Sequence, residues 1–251
     1  MNCCLVNGAA HVAILVGSLL TTTVVGLADG FLETDLVSDL PNRAKNLDPN
    51  LVNPWGLATS PASPFWVANN GAGVATLKDT NGAPQPPGNN PPHQPLIVSI
   101  PTPPDPLGSS GTPTGVVFNI DIAGGGFKVS DGTNSAPALF IFATEDGTIV
   151  GWNPGINPTG FDPTKKGTYG IIAVNNSGDN FTNPNPNTQS GAVYKGIAIA
   201  QVDTTVSPEG FVIYVANFRS GQGCLPADGH PDSCNPESCR LAATRSRLGR
   251  P

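Results

Sequence analysis

The chain has 251 residues, with 30 Gly, 27 Pro, 12% charged residues, 38% hydrophobic residues and a formal charge of −6. Gly and Pro fall in nearly every window, which excludes long helices because both penalise helix interiors. The hydrophobic share suffices for a sheet core and excludes wholesale disorder, and the acidic balance excludes a nucleic-acid groove, which needs a basic stripe.

Val12 to Ala28 is an almost uncharged apolar run ending in small residues, Gly26 and Ala28, before Asp29. It is short for a membrane span, and the best reading is a signal peptide over residues 1–28. An uncleaved anchor and a buried segment are the alternatives, because Met1 to His11 contains no Lys or Arg. Cys3 and Cys4 would leave with the leader, and neither follows the apolar run as a lipobox requires. The expectation is a secreted, extracytoplasmic protein with no stable membrane span after cleavage.

Phe31 to Asp39 reads as a lone strand. A first unit of four strands follows at Asn53–Ala58, Phe65–Asn69, Val74–Lys78 and Leu96–Ile100. A second repeats the order at Thr114–Phe118, Leu139–Thr144, Thr148–Trp152 and Tyr169–Val174. Glu145-Asp146-Gly147 supplies an Asp-Gly pair suited to a tight hairpin with positive φ. A third unit opens with Tyr194–Ile199 and Phe211–Asn217, and Ala68, Ala143 and Ala216 mark equivalent points in the three.

Four antiparallel strands repeated in one order is the pattern of a β-propeller blade. Blades usually take roughly 40–50 residues. The excess here fits in loops at 82–95, 101–113 and 153–168. The expected class is all-β and β-propeller-like, incomplete at about two and a half four-stranded blades over residues 29–221. The lone strand at 31–39 would complete the last blade and cover an exposed edge. A β-sandwich with coincidental echoes is the competing reading. Two and a half blades cannot close by themselves, so open edges could pair with another chain.

Leu36-Val-Ser-Asp39, Asp48-Pro-Asn-Leu-Val-Asn-Pro-Trp-Gly-Leu57, Pro64-Phe-Trp-Val-Ala-Asn-Asn70, Ala143-Thr-Glu-Asp-Gly-Thr-Ile-Val-Gly-Trp-Asn153, Val193-Tyr-Lys-Gly196 and Tyr214-Val-Ala-Asn-Phe218 occur in fixed order. Together they resemble a family of secreted, uncharacterised propeller-type proteins, known mainly from bacteria and described only as conserved hypothetical proteins. The shorter phrases also resemble NHL-type repeats, a weaker likeness. The resemblance implies fold and secretion and brings no established activity.

After Gly221 the alternation stops, and no β-branched residue occurs before Ala243. Residues 222–251, with Arg240, Arg245, Arg247 and Arg250 crowded at the end, read as an unstructured or non-native tail from a frameshift, mis-splicing or truncation. Cys224, His230, Cys234 and Cys239 could be a zinc site, although Cys224 to Cys234 is too loose for the usual paired spacing. A disulfide plus one leftover thiol fits an exported chain better.

The three His are His11, His93 and His230, in the leader, a Pro-rich loop and the tail. A Ser–His triad is therefore close to excluded, and there is no G-x-S-x-G elbow. Gly124-Gly-Gly126 lacks phosphate-cradle spacing and eases a turn before Phe127. No catalytic residue is assigned. The remaining candidates are oxygen ligands at equivalent strand ends: Asn69, Asn70, Glu145, Asp146 and Asn217. Gathered on one rim they would suit Ca²⁺, as in some six-bladed propeller lactonases; the plainer reading is that hairpins require Asn, Asp and Gly. Trp55, Trp66 and Trp152 read as packing between blades rather than as a sugar platform. Asn175-Asn-Ser177 and Asn180-Phe-Thr182 are glycosylation sequons, meaningful only in a eukaryotic secretory pathway. The leading expectation is a non-catalytic scaffold or binding module of unknown ligand, and the alternative is a Ca²⁺-dependent, lactonase-like hydrolase.

Overall fold

A computed structural model describes residues 32–85, 95–178, 191–203 and 210–218. The chain divides into two units, Met1–Thr34 and Asp35–Pro251. Of the first, only residues 32–34 are described, and they carry no regular structure. The expected leader over 1–28 and tail over 222–251 lie outside the described residues, as do all the Cys and His. Among the described residues, no helix is long and apolar enough to cross a membrane.

The second unit is all-β. Two short strands, β1 (Val37–Ser38) and β2 (Asn46–Leu47), pair in parallel. A four-stranded antiparallel sheet follows: β3 (Pro54–Ser60), β4 (Ser63–Asn69), β5 (Val74–Lys78) and β6 (Ile97–Ser99), each beside its sequence neighbour. The next sheet runs β7 (Pro113–Phe118), β10 (Phe140–Thr144), β11 (Thr148–Trp152) and β12 (Ile171–Asn175). Between its first two strands lies a separate hairpin, β8 (Lys128–Ser130) with β9 (Ser135–Pro137). The third sheet pairs β13 (Tyr194–Gln201) with β14 (Phe211–Asn217). Among the described residues, no sheet closes into a barrel.

Two expectations need correction. Among the described residues the lone strand at 31–39 shrinks to Val37–Ser38, and its partner there is β2. Backbone bonds from Asn46 N to Leu36 O and Asp48 N to Ser38 O hold it there, and the Asn46 side-chain amide also donates to Leu36 O at 2.9 Å. Part of the excess length of the second unit lies in the β8–β9 hairpin, outside the loops where it was expected.

The sheets stack face to face through two cores, and strand periodicity explains how. In β10, Phe140 and Phe142 point one way and Ile141 and Ala143 the other, as the period of two demands. Phe140 and Phe142 join Trp66, Ala68, Leu77, Val116, Val150 and Trp152 between the first and second sheets. Ile141 and Ala143 join Ile149, Tyr194, Ile213 and Val215 between the second and third. Every residue of β10 and β11 is buried, so their sequence reads as a continuous apolar run rather than an alternation. Trp66 stacks on Phe140 at 4.4 Å and lies 4.6 Å from Trp152. Both buried indole N–H groups are satisfied, by Ser63 Oγ and by the Gly167 carbonyl.

The first strands of the three sheets lie side by side, and glycine sets how close they come. A Cβ on Gly56 of β3 would stand 2.7 Å from Val116 N and 2.9 Å from Gly115 Cα. A Cβ on Gly115 of β7 would stand 2.8 Å from Ile197 N and 3.1 Å from Gly196 Cα. Apart from Ile197 Cγ2, also 2.8 Å from a Cβ on Gly115, the obstructing atoms are backbone and cannot rotate away. Gly115→Ala should therefore destabilise the chain by about 1–3 kcal/mol through overpacking, read as a lower urea midpoint with unchanged slope.

Lys78, at the end of β5, forms a buried ion pair with Asp48, whose other oxygen accepts from Asn50 N at 2.9 Å. Burial pushes the Asp48 carboxyl up, but the hydrogen bonds from Lys78 and Asn50 and the Lys78 charge outweigh it and hold it below the ordinary range. A lowered folded value means that this stability is present above the unfolded carboxylate value and is lost as pH falls through the folded one. Lys78→Met leaves the carboxylate buried and unpaired and should cost about 3–5 kcal/mol, whereas Asp48→Leu with Lys78→Met should cost far less. Equal losses in the two variants, measured by denaturant unfolding, would contradict this account.

Candidate functional site

The turn between β10 and β11 fixes the centre of the site. Gly147 takes φ +77°, as the Asp-Gly pair predicts, and Gly147 N donates to Thr144 O. Asp146 is committed to holding this turn: its Oδ2 accepts from Thr112 N at 2.7 Å and from Thr112 Oγ1 at 2.9 Å. Glu145 N donates to Thr112 O at 2.9 Å. These bonds pin the turn to the residue just before β7 and aim the Glu145 side chain at the ends of the neighbouring sheets.

Glu145 joins all three sheets. Its Oε2 accepts from Asn70 Nδ2 of the first sheet at 2.9 Å, and its Oε1 pairs with the Lys195 ammonium of β13. Asn70 Oδ1 in turn accepts from Asn53 Nδ2 at 3.1 Å. The Lys195 ammonium lies 5.1 Å from the Trp55 ring centroid and 5.5 Å from that of Phe218, within cation–π range of both. Thr114, the β7 residue equivalent to Trp55 and Lys195, is small and buried, and donates to Tyr194 O at 2.9 Å and Ala143 O at 3.2 Å.

Of the five residues expected to gather oxygens on one rim, the structure brings only Asn70 and Glu145 into contact. Asn69 is fully buried, with Nδ2 bonded to Thr76 Oγ1 at 3.0 Å and its Oδ1 without a hydrogen-bond partner among the described residues. Asn217 Oδ1 accepts from Val193 N at 3.0 Å, tying β14 to the entry of β13. For Asp146 and Asn217 the plainer reading applies, since both serve local turn and strand-end geometry. Trp66 and Trp152 are core residues as expected, but Trp55 is 46% exposed and is not packed between sheets. Lys195, Asn53 and Phe218 were not anticipated. The signal for Lys195 was its place before a strand glycine, matching Trp55-Gly56 and Thr114-Gly115.

The cluster holds one cation and one anion, with amides and two exposed aromatic rings around them. Among the described residues no three His, Cys, Asp or Glu gather as a metal-binding group. A shallow depression of about 210 Å³ beside the β8–β9 hairpin, lined by Lys128, Ser130, Ser135 and Ile171, shares no residue with the cluster.

Burial pushes the Glu145 carboxyl up, but the hydrogen bonds from Lys195 and Asn70 and the Lys195 charge hold it below the ordinary glutamate range. Its contribution to stability is thus present at neutral pH and fades as pH falls through that lowered value. Following the Glu145 side-chain carboxyl carbon by NMR should give a midpoint below that of an ordinary glutamate, and Lys195→Met should move it upward. An unmoved midpoint would show that the ion pair does not form in solution.

No protein-family model matches the chain, and no solved structure matches it. Two viral proteins of Acanthamoeba polyphaga mimivirus do. "Uncharacterized protein R648" is 32% identical over 123 residues, covering 49% of this chain and 27% of that protein. "Uncharacterized protein L690" is 29% identical over 123 residues, covering 49% of this chain and 29% of that protein. The match thus spans less than a third of the length of either relative.

Proposed function

We propose that this chain is a secreted, propeller-type binding module without catalysis, whose binding face is the strand-end cluster around Glu145. Secretion rests on the apolar leader and small residues over 1–28. The propeller reading is supported by two meandering four-stranded sheets and a third pair of strands, stacked through first strands that carry glycine at the same place. Exposed Trp55 and Phe218, flanking polar groups that project from three sheets, offer the mixed apolar and hydrogen-bonding surface on which ligands are held.

The observation that carries the non-catalytic reading is the state of Glu145. One oxygen is paired with an ammonium and the other accepts an amide N–H, which leaves the carboxylate poorly placed as a general base. A Ca²⁺-dependent, lactonase-like hydrolase would have to displace Lys195 from Glu145 before the metal could use that carboxylate. An ion at a hundred times its Kd stabilises the folded state by about 2.7 kcal/mol. In a domain of this size that raises Tm by roughly 5–10 °C. Thermal unfolding in millimolar Ca²⁺ and in chelator should give the same Tm. A rise of that size, abolished by Glu145→Gln, would replace this reading with the hydrolase.

A further inference from the structure

The contacts between sheets follow a rule that the third sheet leaves open. In the first strands of the second and third sheets the residue after the glycine faces the preceding sheet and lies against that sheet's glycine. Val116 N stands 2.7 Å from where a Cβ of Gly56 would be, and Ile197, with its Cγ2 2.8 Å from where a Cβ of Gly115 would stand, covers Gly115. The second strands obey the same rule. Phe140 and Phe142 face the first sheet, and Ile213 and Val215 face the second.

Two half-interfaces remain. At one end, Leu57 occupies the place of Val116 and Ile197 but is 64% exposed, and Phe65 and Val67, in the places of Phe140 and Phe142, are half-buried. At the other end, Gly196 occupies the place of Gly56 and Gly115, and among the described residues nothing lies within 4 Å of where its Cβ would be. Ala198 and Tyr214 share that outer face, because they pair in register and alternate with the inward Ile197, Ile199, Ile213 and Val215. One end carries the knobs and the other the matching hole.

We propose that two copies of this chain associate head to tail, with Leu57 of each seated on Gly196 of the other, as Ile197 sits on Gly115 within one chain. This rests on the propeller reading above, since each contact would repeat the step already made twice inside the chain. A contact between two different faces either closes into a ring or runs on as a filament. Two copies bring together four four-stranded sheets and two two-stranded ones, about five blades' worth, within the usual range of roughly four to eight blades for a closed ring. The association uses sheet faces, not the edge pairing that the sequence suggested.

Size-exclusion chromatography with light scattering on the full chain should give twice the 25.7 kDa of one copy. Leu57→Asp and Gly196→Arg should each lower the measured mass to that of one copy with an unchanged far-ultraviolet spectrum, since Leu57 is exposed and, among the described residues, nothing stands within 4 Å of a Cβ at Gly196. Mixing the two variants should restore the paired mass, because one wild-type contact then survives. A single-copy mass for the wild-type chain at tens of micromolar would overturn the proposal, as would a pair indifferent to both substitutions or a mixture that stays unpaired. None of these results bears on the Ca²⁺ experiment, so the two readings fail separately.

Discussion

The structure depends on the close approach of three neighbouring strands, which the glycines at 56 and 115 permit. Side chains normally keep stacked sheets about 10 Å apart. Removing the Cβ where β3 meets β7, and where β7 meets β13, lets backbone meet backbone at one end of each sheet. The larger side chains of the outer strands fill the remaining space. Trp66, Phe140 and Trp152 occupy the first wedge, and Ile141, Ile149 and Ile213 the second. The stacking therefore splays from a narrow side to a wide one, and the residue sizes along each sheet follow from that shape.

Much of this was legible in the residues. The eight strands of the first two sheets and the two strands of the third fell close to where apolar runs and turn residues placed them. Ala68 and Ala143 are fully buried and pair with the first-strand glycines Gly56 and Gly115, whereas Ala216 is exposed. What periodicity could not supply was the partner of β1. A two-residue strand has no burial pattern to distinguish one neighbour from another, and Asn46 decides it through side-chain and backbone bonds to Leu36. The β8–β9 hairpin was hidden for a similar reason, since a Gly-rich loop followed by three-residue strands carries too few alternations to register.

The candidate site was half legible. Asn70 and Glu145 could be placed at equivalent strand ends, and they do meet. Asn69 could not be separated from Asn70 by sequence, yet Asn69 ends β4 with its amide bonded to Thr76, while Asn70 opens a short 3-10 turn and its amide reaches Glu145. Lys195 was harder to see because a lone basic residue at a strand start is ordinary. Its meaning appears only when the three first strands are aligned on their glycines. Trp55, Thr114 and Lys195 then fall into one row, and the small middle member gives the long lysine a clear path to the other two sheets.

That row also explains why Glu145 should be read with its partners rather than alone. A carboxylate at a hairpin tip, taken singly, has the chemistry of a metal ligand or a general base. Here its two oxygens reach in opposite directions, to an amide on the first sheet and an ammonium on the third. It thereby links all three sheets at their strand ends, while the glycines set their spacing along the strands. An ion pair only partly shielded from water is worth little as an isolated contact. Its value here is positional, because holding Lys195 against Glu145 keeps the ammonium over the Trp55 ring and leaves that ring's remaining surface open. A ligand that used Trp55 would find a charge-balanced, hydrogen-bonded surround already in place, and would not have to order it on arrival.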